Sequence, residues 1–318
     1  MTNEKHRRIL TLTLNPAMDV FVHVDELYAG SLHRASEFRK NPGGKGINVS
    51  KALTAFGTPT VATGFIGGHN GDWIEGELDH QGISTRFIRI AEETRMNVKV
   101  VEAQGKLTEL NSPSPGLAEG DWNRLEELLG QIDGEFNWVA FCGNLPGNGS
   151  PEWYEKMTHR CHDLGIKVAV DTSGEALRRA IRAKPDFIKP NIEELEELTG
   201  KNIATIEEAA TASEKLAETG ISTVAVTLGA KGMIVAREKE TWIASVPEVD
   251  VVSPVGAGDS VVAGFLHGFD YYQDSFTDTI RFAAASGVAA VMKNGTTQPE
   301  LADIRPLLDQ IKIEKREV

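Results

Sequence analysis

The sequence predicts an α/β protein with a mostly parallel β-sheet, helices on both faces of that sheet, and a second, smaller β-sheet. Beyond residue 130, short apolar segments typical of strands alternate with amphipathic segments typical of helices. This alternation is characteristic of parallel sheets covered by helices. The smaller sheet is predicted by two stretches, 20–39 and 95–110, which show polar alternation and contain no helical pattern.

The elements follow in chain order. An N-terminal strand is predicted over 9–14, where apolar residues alternate with threonine. The later strand candidates are 138–142, 167–171, 186–189, 223–227 and 233–236. Helices are predicted between strands, over 150–164, 192–198 and 206–219. Ligands of such a sheet bind at the carboxyl ends of its strands.

The smaller sheet is expected to form a lid, a dimer contact or both. Its second stretch has the pattern of a hairpin, with a turn at Gln104-Gly105-Lys106. A half-exposed sheet beside a parallel core is typical of a surface that covers a ligand site or contacts a second subunit. We expect lid segments at about 20–40 and 94–111, inserted into a single domain spanning 1–318. The alternative is that these strands lie at the edge of the main sheet.

Composition excludes several classes of partner. The 318 residues include 33 basic and 46 acidic side chains, so the net charge is −13, which disfavours nucleic acid and anionic membranes. No apolar stretch approaches the roughly 20 residues of a membrane span. Residues 1–8 are polar and lead directly into a strand, unlike a secretory signal. With two cysteines, Cys142 and Cys161, and no Cys-x-x-Cys pair, we expect reduced thiols and a cytoplasmic location.

The strongest functional signal is Val255-Gly256-Ala257-Gly258-Asp259-Ser260, which precedes an apolar run over 261–266 that is predicted to be helical. Small residues let consecutive backbone N–H groups turn to one side, at the helix end that favours anions. A carboxylate repels an anion. Asp259 is therefore best explained as a base that accepts a proton beside a phosphoryl group, with an ordinary helix cap as the alternative.

A second glycine-rich loop, 41–48, opens another predicted helix. It lacks the spacing of a Walker loop, and Gly256-x-Gly258 does not complete a dinucleotide fingerprint because residue 261 is valine. A tight structural turn is the alternative for either loop. That alternative explains one such loop more readily than two.

Three polar residues, Lys189, Asn191 and Glu194, follow a predicted strand. Lys189 can contact phosphate oxygens, and the other two are spaced to flank a hydrated Mg²⁺. The same pair can close a helix capping box, and both interpretations can hold together. The stretch 227–232 ends the next strand with glycines, which suit close contact with a nucleotide or a plain turn between strands.

Two further candidates come from the N-terminal half. Asp19 follows the first strand and can accept hydrogen bonds from sugar hydroxyls, with a solvated turn as the alternative. Arg95 can bind a phosphate through two N–H groups, with a surface arginine as the alternative. The eight histidines show no ligand spacing.

Taken together, these motifs resemble those of the ribokinase-like, PfkB-type carbohydrate kinases, in particular the branch that acts on phosphosugars. The match covers essentially the whole chain. The resemblance implies a three-layer α/β/α core with a small β-sheet lid that often pairs with its twin in a homodimer. Six motifs occur in the family's order: Asn15-Pro-Ala-Met-Asp19, Gly43-Gly-Lys-Gly-Ile-Asn48, Thr94-Arg-Met-Asn-Val-Lys99, Lys189-Pro-Asn-Ile-Glu-Glu194, Thr227-Leu-Gly-Ala-Lys-Gly232 and Gly256-Ala-Gly-Asp-Ser260.

The resemblance also implies an activity, ATP-dependent phosphorylation of a ketohexose phosphate in the presence of Mg²⁺. Fructose 1-phosphate is the expected acceptor, and tagatose 6-phosphate and fructose 6-phosphate are the alternatives. Asp259 is the expected base, and the amides of Gly256, Ala257 and Gly258 are the expected anion hole. The expected acceptor-binding residues are Asp19, Gly43, Gly44, Lys45, Asn48, Arg95 (which would hold the phosphate already on the sugar) and Asn144. The expected nucleotide-binding residues are Lys189, Asn191, Thr227, Gly229, Lys231, Gly232 and Asn294, with Asn191 and Glu194 directed toward Mg²⁺ through water.

One motif departs from the family pattern. Relatives usually carry Ser-Gly-Ser-Leu-Pro where this chain has Cys142-Gly143-Asn144-Leu145-Pro146. Asparagine can hydrogen-bond as serine does, but it is longer and differently shaped, which leaves the identity of the acceptor open. A non-catalytic sensor of sugar phosphate or nucleotide is an alternative from another class, which the intact loop before Asp259 disfavours.

Overall fold

The computed structural model describes residues 8–316, so residues 1–7 of the polar N-terminal segment lie outside the described residues. The strands are β1 (Arg8–Thr13), β2 (Ala17–Val24), β3 (Glu37–Gly43), β4 (Thr60–Ile66), β5 (Ser84–Thr85), β6 (Ile88–Arg89), β7 (Met96–Glu102), β8 (Leu107–Asn111), β9 (Phe136–Cys142), β10 (Lys167–Asp171), β11 (Phe187–Ile188), β12 (Thr223–Thr227), β13 (Met233–Arg237), β14 (Glu240–Ser245) and β15 (Lys312–Lys315). The helices are α1 (Lys45–Ala55), α2 (Gly68–His80), α3 (Glu119–Gly130), α4 (Glu152–Asp163), α5 (Gly174–Ala180), α6 (Ile192–Thr199), α7 (Ile206–Glu218), α8 (Ala257–Tyr271), α9 (Phe276–Val291) and α10 (Leu301–Leu308).

The central sheet has the strand order β15-β14-β13-β12-β11-β10-β9-β1-β4-β5, with β6 also paired to β4. Every pair from β12 to β5 is parallel, which confirms the predicted mostly parallel sheet. The last three pairs, from β12 to β15, are antiparallel. The expected alternation with helices therefore stops at β12, because a single 3₁₀ turn at Gly229–Lys231 joins it to β13. The predicted 186–189 strand is reduced to β11, and the three predicted helices begin or end within two residues of α4, α6 and α7.

Apolar residues fill the space on each face of this sheet. One cluster packs α3–α7 against the sheet and includes Leu125, Met157 and Leu216. The other packs α1 and α8–α10 against the opposite face and includes Leu53 and Phe265. The predicted α/β/α layering is thus confirmed. Within the described part of the chain, no helix is both long enough and apolar enough to cross a membrane.

The small sheet is separate from the central sheet and has the strand order β3-β2-β7-β8. Its four strands lie within 17–43 and 96–111, against expected lid segments of about 20–40 and 94–111. The stretch Asn41-Pro42-Gly43 suggested a turn, yet it ends a strand. Proline is tolerated there because β3 is an edge strand whose outer N–H groups need no partner. We call this sheet the lid.

Helices α8 and α9 pack closely through a glycine. A Cβ atom built at Gly264 would lie 2.6 Å from the Cα atom of Ala283, which belongs to the backbone of the facing helix. By contrast, Gly76 is exposed in α2, and its Cβ atom would meet nothing within 4 Å.

We expect Gly264→Ala to lower the free energy of unfolding by about 1–3 kcal/mol, because the two helices must move apart. Gly76→Ala is the matched control and should raise it by about 0.5–1 kcal/mol through the better helix propensity of alanine. Urea denaturation of both variants measures the difference. Equal effects of the same sign would contradict the close-packing explanation.

Candidate active site

The chemistry-bearing side chains meet at the carboxyl edge of the central sheet, under the lid. The ends of β10, β11 and β12, the first turns of α1 and α8, and lid strands β2 and β7 surround a cavity of about 450 Å³. Its lining residues are Asp19, Gly44, Lys45, Asn48, Lys99, Asp171, Lys189, Asn191, Glu194, Thr227, Val255, Gly256, Gly258, Asp259 and Thr296. Most of the residues predicted from the two glycine-rich loops and from the strand ends are therefore brought together.

Helix α8 begins at this cavity with an uncapped N-terminus. Gly256 is its N-cap residue, with φ of 83°, and no side chain caps the first turn. The alternative role for Asp259, an ordinary helix cap, is therefore not observed. The Ala257 N–H makes only a long, 3.5 Å contact with the Pro254 carbonyl. The N–H groups at the start of this 15-residue helix therefore favour an anion at this position.

The carboxylate of Asp259 is buried in the first turn of α8. Its Oδ2 atom accepts a hydrogen bond of 2.8 Å from Nδ2 of Asn48 on α1. Burial, and secondly the nearby charge of Asp171, raise the pKa of Asp259 to about 6. Asn48 on α1 thus orients the Asp259 carboxylate, and the raised pKa makes Asp259 a stronger base than an exposed aspartate.

A second buried carboxylate, Asp171, lies between two lysines. Its Oδ1 atom is 3.3 Å from Nζ of Lys45 and 3.3 Å from Nζ of Lys189. Burial by itself would raise the pKa of Asp171, but Lys189 and Lys45 lower it overall, and the same contact raises the pKa of Lys45. Asp171 and Asp259 therefore have pKa values displaced in opposite directions, a pattern typical of carboxylates with different tasks.

Lid side chains hold a third carboxylate over the cavity. Asp19 on β2 accepts hydrogen bonds from Nδ2 of Asn97 (2.9 Å) and from Nζ of Lys99 (3.1 Å), both on β7. Gly43 lies against this carboxylate, since a Cβ atom there would be 2.6 Å from Asp19 Oδ2. The hydrogen bonds fix the orientation of Asp19 toward the cavity.

A larger, mostly apolar groove of about 1080 Å³ adjoins the cavity. The two share Asn191, Thr227 and Gly258. The groove runs past the 3₁₀ turn after β12 and is lined on its far side by α9 residues such as Val288 and Val291. Its size and apolar walls suit a flat heterocyclic base. Gly229 and Gly232, two of the predicted nucleotide-binding residues, line this groove.

Asn191 and Glu194 form the capping box that was the alternative explanation for their spacing. The Glu194 N–H donates to Asn191 Oδ1 (2.7 Å), and the Asn191 N–H donates to Glu194 Oε2 (2.9 Å). Both residues also line the cavity. The cap uses one oxygen of Glu194, so the second oxygen is free to face a ligand. The structural and functional interpretations are compatible.

The carboxylates of the cavity wall determine whether a Mg²⁺ ion can bind in the cavity. Within 8–316, no three His, Cys, Asp or Glu side chains are grouped so as to hold a metal by themselves. Asp171 Oδ2 is buried without a hydrogen-bond partner, and the Glu194 carboxylate lines the same cavity. Mg²⁺ usually binds one or two carboxylates together with phosphates and waters. The site therefore fits a Mg²⁺ ion that is bound together with a phosphate ligand.

Five predicted residues line neither the cavity nor the groove. One of them, Gly43, lies against the Asp19 carboxylate, as described above. Lys231 lies in the turn beside the groove, and Asn294 is exposed on the loop after α9. Arg95 donates to the Asn15 carbonyl and to Asn97 Oδ1, each at 3.3 Å, so it lies next to Asp19 rather than in the cavity. Asn144 is exposed, and its Oδ1 atom accepts from Ser173 Oγ at 3.1 Å.

Three residues that had no predicted role lie in the cavity wall, namely Asp171, Lys99 and Thr296. A signal existed for Asp171, which is the last residue of a predicted strand, and for Lys99, which ends one of the motifs quoted above. Nothing local distinguished Thr296.

Buried polar atoms without hydrogen-bond partners concentrate around this cavity. Among the described residues they include Asn15 Oδ1, Asn48 Oδ1, Arg95 Nε, Asp171 Oδ2 and Thr296 Oγ1. Leaving such an atom unpaired costs about 1–3 kcal/mol, and a folded protein seldom leaves several together. Their clustering indicates that a polar ligand completes the site.

Comparison with known proteins shows which family this chain resembles. A family model described as pfkB family carbohydrate kinase matches residues 13–303. The chain is 36% identical over 307 residues to a 1-phosphofructokinase of Borreliella burgdorferi, covering 96% of this chain and 98% of the relative. A solved structure of a possible 1-phosphofructokinase from Thermotoga maritima is similar with a TM-score of 0.89 and 29% identity, over 98% of this chain and 100% of that one. The tetrameric inhibited form of phosphofructokinase-2 from Escherichia coli is similar with a TM-score of 0.87 and 27% identity, over 95% and 98%.

The shifted pKa of Asp259 predicts that Asp259→Asn is more stable than the wild type at pH 8. A carboxyl with a folded pKa of about 6 and an unfolded pKa near 3.9 destabilises the native state when ionised, by an amount on the order of 3 kcal/mol. The gain should be complete above pH 6 and should vanish as the pH falls through 4. Denaturant unfolding at several pH values measures it.

Asp171→Asn is the matched control, because its carboxylate is stabilised by two lysines and its pKa is lowered. This variant should be less stable than the wild type at pH 8. A loss of stability in Asp259→Asn at pH 8 would contradict the prediction.

Proposed function

The chain belongs to the pfkB family of carbohydrate kinases, and we propose that it transfers the γ-phosphoryl group of ATP to the C6 hydroxyl of fructose 1-phosphate. The observation that carries this proposal is the position of Asp259, a buried carboxylate at an uncapped helix N-terminus that opens onto a cavity shared with lid residue Asp19. The relatives named 1-phosphofructokinase support the choice of acceptor. The product is fructose 1,6-bisphosphate.

Asp259 acts as the general base in this proposal. Its Oδ atoms accept the proton of the C6 hydroxyl while the hydroxyl oxygen attacks the γ-phosphorus and the bond to ADP breaks. A pKa of about 6 keeps Asp259 ionised at pH 7–8 and brings it closer to the range that suits proton transfer. The hydrogen bond from Asn48 holds the carboxylate in position. The rate should therefore fall as the pH decreases below about 6.

Positive groups around the cavity stabilise the transferring phosphoryl group. The first N–H groups of α8, at Ala257 and Gly258, form the anion hole, while Lys189 and Lys45 contribute full charges near Asp171. Asp171, Glu194 and, through water, Asn191 are the residues that would hold Mg²⁺. When bound, Mg²⁺ supplies further positive charge to the phosphate oxygens. Thr227, Gly229 and Gly232 bind the nucleotide along the apolar groove.

The acceptor binds between the lid and α1. Asp19, Gly43, Gly44 and Asn48 contact its hydroxyls, and Arg95 contacts the phosphate that it already carries. Arg95 is half-buried beside Asp19, and its Nε atom has no hydrogen-bond partner among the described residues, which supports this role. Lid closure over the sugar excludes water that would otherwise hydrolyse ATP.

We also propose that the protein is a cytoplasmic homodimer that pairs through the lid. On the lid face opposite Asp19, Phe38 and Leu110 are 59% and 61% exposed on the two edge strands. They lie opposite Val22 and Val98 in the strand register, and these two valines are partly buried against the core under the lid. The lid of a second protomer would bury this apolar stripe and could cover the open edges of the sheet. Cys142 and Cys161 are both free and buried, in keeping with a reducing compartment.

Phe38→Ser combined with Leu110→Ser should convert the dimer to a monomer by sedimentation velocity, because the stripe loses its two most exposed apolar side chains. Tyr271→Ser is the control, since this tyrosine is 70% exposed on α8 and lies outside the lid. The lid is not the interface if the double variant sediments as the wild type does.

The proposed activity is tested by ADP release with MgATP and four acceptors: fructose 1-phosphate, tagatose 6-phosphate, fructose 6-phosphate and fructose. We expect kcat/KM for fructose 1-phosphate to exceed the others by tenfold or more, about 1.4 kcal/mol of transition-state discrimination. Preference for another phosphosugar would change the acceptor that we assign, and Asn144, which replaces the usual serine, would be the first residue to test as its cause. Inactivity with all four would overturn the proposal.

In the same assay, Asp259→Asn should lower kcat by about three orders of magnitude or more, because the base is lost. ATP affinity should be retained, since Asp259 does not line the nucleotide groove. Near-normal turnover by this variant would remove Asp259 from its role as the base.

A further inference from the structure

The loop between α9 and α10 contributes to the wall of the cavity. Thr296 on this loop is 5% exposed and lines the cavity together with Asp19, Lys99 and Asp259. Its Oγ1 atom is buried and has no hydrogen-bond partner among the described residues. An unpaired buried hydroxyl that borders a cavity indicates a polar ligand atom in hydrogen-bond reach.

The position of Thr296 is fixed relative to the catalytic helix. Ser260, which follows Asp259, donates its hydroxyl to Oε1 of Gln298 at 3.1 Å. The Gln298 Nε2 group donates to the Thr296 carbonyl, also at 3.1 Å. The amide of Gln298 therefore bridges α8 to the loop and holds the Thr296 hydroxyl at a set position from the base.

The same loop also contacts the lid. Gly295 has a left-handed backbone with φ of 57°, and a Cβ atom there would lie 3.2 Å from Cζ of Phe21 on β2. Lys99 Nζ lies 5.2 Å from the centre of the Phe21 ring, and Lys99 also binds Asp19. The lid strand that carries Asp19 thus rests on the residue next to Thr296.

We propose that Thr296 is a substrate-binding residue whose hydroxyl hydrogen-bonds the acceptor sugar, and that Gly295 is the seat on which Phe21 closes the lid. This inference rests on the proposed function. The acceptor is favoured over the nucleotide because Thr296 lines the cavity shared with Asp19 and Asn48 and is not part of the apolar groove. Acceptor binding and lid closure then depend on one short loop.

The hydroxyl is tested with Thr296→Val, which keeps the shape of the side chain, and Thr296→Ser, which keeps the hydroxyl. We expect Thr296→Val to raise KM for fructose 1-phosphate about five- to tenfold, the loss of roughly one hydrogen bond. KM for ATP and Tm should be unchanged, and Thr296→Ser should restore the acceptor KM to within about twofold. A purely structural role would instead lower Tm and would not be rescued by serine.

An unchanged acceptor KM in Thr296→Val would overturn the inference, and an increase confined to the ATP KM would reassign the hydroxyl to the nucleotide. The wild type in the same assay separates this outcome from failure of the proposed function. A wild type that is inactive with fructose 1-phosphate counts against the function, whereas an active wild type with an unaffected Thr296→Val counts against Thr296 alone.

The seat is tested with Gly295→Ala, whose Cβ atom would push against the Phe21 ring. Gly134→Ala is the matched control, because Gly134 has φ of 68° but its Cβ atom would meet nothing within 4 Å. Both variants carry the strain of a left-handed alanine, and only Gly295→Ala should raise the acceptor KM and the ATP hydrolysis measured without acceptor. Equal kinetics in the two variants would show that Phe21 does not close on Gly295.

Discussion

The buried carboxylate of Asp171 joins three parts of the molecule that would otherwise be free to shift. It ends β10, and its Oδ1 atom contacts Lys45 at the start of α1 and Lys189 just after β11. A carboxylate removed from water is stable only when it is paired, and loss of one partner is costly. The pairing therefore sets where α1 begins relative to the sheet. Asn48, one turn further along α1, is thereby placed against Asp259.

The local charge of the site differs from that of the whole protein. The chain carries a net charge of −13, which on average repels sugar phosphates and nucleotides. Three lysines of the cavity wall, Lys45, Lys99 and Lys189, reverse that field where the ligands bind. Each of them also contacts a carboxylate of the site. The lysines therefore serve two purposes, since they pair with the carboxylates of Asp19 and Asp171 and they attract phosphate.

What could be predicted from the sequence depended on local signals. The glycine-rich loops, the strand ends at Lys189 and Thr227, and the polar alternation of the lid are visible in short stretches, and the structure places them as expected. The hairpin of β12 and β13 was predicted with a plain turn as one interpretation of 227–232, whereas β14 and β15, which extend the sheet with antiparallel pairs, were not predicted. Asp171 and Lys99 act through partners 126 and 80 residues away, and the orphaned hydroxyl of Thr296 can be recognised only once its surroundings are known. Long-range pairing of this kind leaves no periodic pattern.

The hydrogen bond between Asn48 and Asp259 spans 211 residues, and this separation has a consequence for biosynthesis. A growing chain emerges N-terminus first, so the lid strands, complete by Asn111, are made long before α8. A nascent chain can thus display the sugar-facing side chains while the base and anion hole are still unsynthesised. A chain that terminates before residue 259 lacks the base and cannot transfer phosphoryl groups from ATP. Catalytic competence arises only when α8 and the helices that follow it pack against the sheet.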